Sequence, residues 1–292
     1  MSLLRTALLS SAVLAAATVP GAARAAEAYD NCTGFIAALP AIISTQGVWC
    51  MDEDLSTKAA SGNAIEVQTN NVTIDCNGFK LGNLSAGTAT QTYGIRAIAR
   101  RNVTVRGCNI RGFRGAIRLE GSSGGGHVVE DNRIEAATVW GLYLQGDNVI
   151  ARRNQVVDIG GSTESVNVAA YGIVGYEMID IADNLVSSVS ASGGGQASGI
   201  MVIDAEGSVI RDNTVRGVYS PDGPVVGIAV HASGVSVRGN DVLSPDTRPG
   251  SIGIYCSSID TPVRDNVAVG FTVNLAESCG PQLDNLIVEP PP

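Results

Sequence analysis

Apolar residues in this chain fall into short runs that keep returning to one frame, apolar-x-x-Asn-x-apolar. Its fullest copy is Val237-Arg238-Gly239-Asn240-Asp241-Val242-Leu243. The frame recurs at Ile74…Asn77…Phe79, Val129…Asn132…Ile134, Ala151…Asn154…Val156, Ile181…Asn184…Val186, Ile210…Asn213…Val215 and Val263…Asn266…Ala268. One further copy, Val105…Ile110, places Cys108 in the Asn slot and Asn109 one residue late. Successive slots lie 31, 24, 22, 30, 29, 27 and 26 residues apart, and recurrence of one supersecondary unit at such a period marks a solenoid. Asn tolerates the left-handed backbone, so an Asn between two short apolar strands predicts a sharp corner. Coils stacked at about 4.8 Å would bring Asn77, Asn132, Asn154, Asn184, Asn213, Asn240 and Asn266 into register, as a ladder of side-chain amides.

Each coil reads as three strands. The first opens on a Gly-apolar pair, as at Gly94-Ile95, Gly141-Leu142, Gly172-Ile173, Gly199-Ile200, Gly227-Ile228 and Gly253-Ile254, with Ala116-Ile117 standing in once. The second ends at the Asn corner and the third follows it. The return to the next Gly varies in length and is rich in Gly, Ser, Thr, Pro and Asp, for instance across residues 160–170 and 187–198. Insertions confined to one face are what a solenoid with a binding face shows. Eight to nine coils are expected over residues 48–288, with residues 289–292 as a tail. In residues 26–47, Phe35, Ile36, Leu39, Ile42 and Ile43 recur at roughly helical spacing, which predicts a short capping helix over the open end, split or kinked by Pro40.

The composition suits a long narrow core: 45% of the 292 residues are hydrophobic but only 4% aromatic. Arg5, the apolar run from Ala7 to Val19 and Ala23-Arg24-Ala25 form an export signal over residues 1–25, too short to span a bilayer. Its removal leaves 17 Lys and Arg against 28 Asp and Glu, a net charge of −11. Ten of those basic residues fall between Arg96 and Arg153, whereas from Asp158 onward 16 acids face 5 bases. An anionic partner would be drawn to the second to fourth coils. The acidic total argues against nucleic acid, and the lack of a spanning segment against membrane insertion. All six cysteines lie beyond the signal, an even number that favours disulfides in a periplasmic or secreted protein. Fifteen pairings are formally open. Sequence locality favours Cys32–Cys50 and Cys256–Cys279, and the stacking of adjacent coils brings Cys76 within reach of Cys108.

The Gly-apolar first strand, the short second strand, the Asn corner and the variable return loop resemble the right-handed parallel β-helix of the pectate-lyase-like superfamily, and within it the exported parallel β-helix repeat proteins. The resemblance covers residues 48–288. It implies a polysaccharide partner lying in a groove made by the outer face of the first sheet and the return loops. Strict alternation from each Gly places Arg96, Arg118, Glu120, Tyr143, Gln145 and Tyr176 outward as one substrate-binding patch, with rings to stack on pyranose faces and forked donors for hydroxyls or carboxylates. The superfamily's hydrolase motifs, Asn-x-Asp, Asp-Asp, Gly-His-Gly and Arg-x-Lys, do not occur. The acidic calcium cluster of its lyases is not evident either, so no cofactor is evident, and Ca2+ stays open without a clear acidic cluster to support it. A lyase or epimerase reading would use Arg118 and Arg96 to neutralise a uronate, with Glu120 or Tyr143 as base. His127 reads as a turn residue and His231 as an exposed strand residue. Asp131, Asp183, Asp212, Asp265 and Asp284, each one place before an Asn, read as turn residues. The chain is therefore expected to be a non-catalytic polysaccharide-binding or structural solenoid. The alternative is an enzyme of lyase, epimerase or hydrolase type acting on a uronate polymer.

Overall fold

A computed structural model describes residues 29–121, 123–244 and 248–288. The expected signal over residues 1–25 and the tail over 289–292 lie outside the described residues. Within them the chain winds into a parallel β-solenoid of three sheets, the first with ten strands, the second with eleven and the third with ten. The first sheet runs from Ala41–Ile43 through Ser61–Val67, Gln91–Ile98, Gly115–Glu120, Trp140–Gln145 and Ala170–Tyr176 to Val273–Leu275. Every strand pairs in parallel with its equivalents one coil away. Ile65, Ile95, Ile117, Leu142, Ile173, Ile200, Ile228 and Ile254 thereby stack in one buried column.

The Gly of the repeating Gly-apolar pair is a matter of space. A Cβ on Gly172 would stand 2.3 Å from Cγ1 of Val186 on the third sheet and 2.5 Å from the carbonyl of Gly199 on the next coil. The third sheet therefore closes onto the first across these glycines, and the core stays narrow.

The Asn slots form a ladder, and the left-handed residue at each corner is the one before the slot, as the turn reading of the aspartates expected, and not the slot Asn itself. Asp131, Arg153, Asp183, Asp212, Asp265 and Asp284 hold φ between 53° and 58°, and Gly107 and Gly239 take 63° and 64°. The residue before each slot thus makes the left-handed turn, where Asp and Gly are at ease. That frees the Asn to point inward. Nδ2 of Asn132, Asn154, Asn184, Asn213 and Asn240 donates to Oδ1 of the next asparagine at 2.9–3.0 Å. Asn266 does the same to Asn285, a rung the frame did not include, at 3.0 Å. Each Oδ1 also accepts the backbone N–H of the asparagine below, as from Asn154 to Asn184 at 2.9 Å, so the buried corner leaves that donor satisfied.

Asn77 stands outside the ladder. It takes the left-handed turn itself, at φ 49°, and its amide donates to the carbonyl of Met51 at 3.1 Å. In that coil the inward place belongs to Cys76, bonded to Cys108 with Cα atoms 4.7 Å apart. Cys108 in turn caps the ladder, donating its N–H to Asn132 Oδ1 at 3.1 Å. Cys32–Cys50 and Cys256–Cys279 are also bonded.

No capping helix forms over the described residues 29–47 of the segment 26–47 where one was expected. Its place is taken by Gly34–Phe35, paired with Trp49–Cys50, and Ala41–Ile43, paired with Ile65–Val67. Pro40 lacks the N–H a helix would need there, and the Cys32–Cys50 bond holds the segment along the sheet edge. Ile36 and Ile43 turn inward while Phe35 and Ile42 are exposed. The open end is thus finished by a further coil of strands.

Candidate ligand-binding face

The outer face of the first sheet carries the site. Register places Arg96, Arg118 and Tyr143 in one row across three coils, and Gln145 and Tyr176 in the row beside it. Glu120 sits between the two guanidiniums. Its Oε1 accepts from Arg96 Nε at 3.1 Å and Nη2 at 2.5 Å, and its Oε2 accepts from Arg118 Nε at 2.6 Å and lies 2.5 Å from Arg118 Nη2. Three N–H donors and the ionic contact of Arg118 Nη2 thereby engage both oxygens of the one carboxylate.

Arg118 is also ringed by aromatics. Its guanidinium carbon lies 5.0 Å from the Tyr93 ring centroid, 5.6 Å from that of Trp140 and 4.9 Å from that of Tyr143, and Nη1 donates to the Tyr93 hydroxyl at 2.6 Å. Tyr143 meets Trp140 edge-on at 6.0 Å and leans on Tyr176 at 5.3 Å. Burial, and then the neighbouring Tyr176, push the Tyr143 phenol up to about 12 against the pull of Arg118. Gln145 is used differently: its Oε1 accepts the N–H of Gly121 at 3.1 Å and its Nε2 reaches Glu177 at 3.5 Å, so it fixes the turn that edges the face.

Alternation counted from the glycines omitted Tyr93 and Trp140. Two consecutive residues turn inward at each Gly-apolar pair, as Gly94 with Ile95 and Gly141 with Leu142, so the residue before the Gly faces out. An aromatic directly ahead of that Gly, as in Tyr93-Gly94, Trp140-Gly141 and Tyr171-Gly172, was the available signal. The return loop over residues 160–170 supplies the side wall. Glu164 pairs with Arg114 Nη1 and accepts from Gln91 at 2.6 Å, and Arg114 lies 5.1 Å over the Trp140 ring.

The Arg-rich stretch is mostly paired. Eight of the ten arginines from Arg96 to Arg153 have a carboxylate within 4 Å; Arg153, for example, grips Asp131 through Nε at 2.8 Å and Nη2 at 2.7 Å. The two histidines lie elsewhere. His127 is buried at the start of a second-sheet strand and accepts the Val103 N–H on Nδ1 at 3.2 Å. His231 packs against Tyr255 at 5.3 Å, and burial lowers its pKa. Among the described residues no group of three or more His, Cys, Asp or Glu side chains is arranged to share a metal ion.

No protein-family model matches the chain, and no curated protein matches it in sequence. Several solved structures are similar to it at a distance. The Dettilon tailspike protein aligns with a TM-score of 0.34 and 13% identity over 87% of this chain and 60% of its own, so the chain spans about 60% of that protein's length. The A-module of a mannuronan C-5 epimerase from Azotobacter vinelandii aligns at 0.37 and 14%, covering 90% of this chain and 80% of its own. A hyperthermoactive exopolygalacturonase from Thermotoga maritima aligns at 0.29 and 11%, covering 84% of each. At such TM-scores the likeness decides nothing about the site, whose chemistry is read from its own side chains.

Proposed function

We propose that this protein is an extracellular solenoid that binds a polysaccharide along the outer face of its first sheet and does not turn it over. Three disulfides suit an oxidising compartment, and no helix among the described residues is long and apolar enough to cross a membrane. The observation that carries the binding reading is the aromatic cluster closed around Arg118. Tyr93, Trp140, Tyr143 and Tyr176 are half-buried, and ring–ring and ring–guanidinium contacts fix them before any ligand arrives. Rigid rings of this kind offer pyranose faces a large contact area at little entropic cost.

The non-catalytic half of the reading rests on what the proposed bases are doing. Proton abstraction beside a uronate carboxylate needs an acceptor with a free lone pair near neutral pH. Glu120 has both oxygens engaged by Arg96 and Arg118, and the Tyr143 phenol holds its proton up to about 12.

The test is to run the protein through gels containing neutral or uronate polysaccharides while following reducing ends and the ultraviolet absorbance of unsaturated uronates. Binding predicts retardation without product, and weakening by about tenfold in Trp140→Ala. Product formation abolished by Arg118→Ala would instead support a lyase, epimerase or hydrolase.

A further inference from the structure

We infer that the glycan held on this face is uncharged, and that Arg96 and Arg118 build the aromatic platform instead of receiving uronate carboxylates; this rests on the binding reading above. Three guanidiniums stand at the rings, those of Arg96, Arg114 and Arg118, and a fourth, that of Arg100, acts on Glu66 beside them. Four carboxylates stand with them. Glu120 takes Arg96 and Arg118, and Glu164 takes Arg114. Glu66, whose carboxyl is held low first by hydrogen bonds from Gln68 and Asn63, feels both Arg96 and Arg100. Glu177 closes the far edge through Gln145. The face therefore carries no net charge.

The donors are already engaged as well. A uronate is recognised by a guanidinium fork that is free to meet both oxygens. Here Nε and Nη2 of both arginines already meet Glu120, a carboxylate fixed in the place a ligand carboxylate would need. The flat sides of Arg118 are covered by Tyr93, Trp140 and Tyr143. Continuing along the axis, the outward rows hold Val174, Met201 and Ala229, which are buried, and a half-buried Ile203 beside them, all apolar and without a cation. The turn bordering these coils is lined by Asp147, Glu177, Asp204 and Glu206. A polyanion laid along the face would thus meet no free cation at the rings and repulsion beyond them, whereas a neutral chain meets the stacking surface of the rings.

The experiment compares binding of cello-, manno- and galacto-hexasaccharides with that of hexamannuronate and hexagalacturonate, by calorimetry at low and high salt. The expected result is binding to at least one neutral oligosaccharide with affinity changing less than about twofold between about 0.05 and 0.5 M salt, since no ion pair is screened. Glu120→Gln frees a net cation and is expected to gain salt-sensitive affinity for a uronate oligomer by about tenfold or more. Wild-type preference for a uronate, lost at high salt and in Arg118→Gln, would overturn the inference while leaving a glycan-binding face. Binding to no saccharide of either class would overturn both.

Discussion

The rings of Tyr93 and Trp140 lie stacked at 6.4 Å and 20° although a whole coil separates their backbones. The intervening coil presents Gly115, in register with both residues. A Cβ at Gly115 would stand 3.1 Å from the Tyr93 ring and 3.5 Å from that of Trp140. The bare position lets the two rings lean together, and Arg118 fills the space beside them.

Gly115→Val is expected to wedge the rings apart. The backbone at Gly115 has no left-handed requirement, so the effect falls on the platform, with a stability loss of only about 1 kcal/mol. In a Trp49→Phe background the Trp140 emission should move to the red, and glycan affinity should fall about five- to tenfold. Unchanged emission together with unchanged affinity would show that the stack does not shape the face.

The ladder predicts unequal costs for asparagines that look alike in sequence. Asn184→Ala takes away the acceptor of both the backbone N–H and Nδ2 of Asn154, which are buried. It is expected to cost on the order of 3–5 kcal/mol in urea unfolding, the penalty for stranding buried donors. Asn77→Gly keeps the left-handed turn and loses one bond to Met51, at about 1 kcal/mol. Equal midpoint shifts would contradict the ladder.

Cys76–Cys108 occupies the place where the ladder would otherwise continue. Its two ends are 32 residues apart, so Cys76→Ala with Cys108→Ala is expected to lose about 3–4 kcal/mol on the chain-entropy estimate. Cys108→Asn in the same Cys76→Ala background should recover about 1 kcal/mol, because an amide there can donate to Asn132 Oδ1 as the Cys108 N–H already does. Urea titrations of the two double variants decide it. An Asn variant no more stable than the Ala variant rejects the extension.

His127 gives stability a pH dependence of known sign. Burial drives its pKa from 6.5 down to about 4, so the unfolded chain takes up this proton first as pH falls. Stability then declines between pH about 6.5 and about 4, by on the order of 3 kcal/mol from this group. His127→Asn, with an amide oxygen to accept the Val103 N–H, should flatten that window in urea melts across pH. His231, also lowered by burial, adds a slope of the same sign.

What the sequence made legible follows from repetition. The Asn frame and the Gly-apolar pair each occur many times, and their phase places strands, corners and the first sheet without reference to packing. Single events were harder to read. The helical spacing of Phe35, Ile36, Leu39, Ile42 and Ile43 was overridden by Pro40 and by pairing along the Cys32–Cys50 edge. The left-handed turn belongs to Asp131 and its equivalents because a buried Asn is needed for the rung above it. Tyr93 and Trp140 escaped because two inward residues in succession shift the alternation behind each Gly. The pairing of Arg96 and Arg118 with one carboxylate depends on side-chain directions across coils, which residue spacing alone does not carry.

The six amide bonds from Asn132 to Asn285 all point the same way along the axis. A row of dipoles aligned head to tail polarises itself, so an interior link gains from neighbours on both sides and a terminal link from one. The tube should therefore be stiffest at mid-length and soften toward Asn285, where no further amide continues the row among the described residues. A pulling or hydrogen-exchange measurement would see the last coils release first, while the end closed by two of the disulfides stays wound.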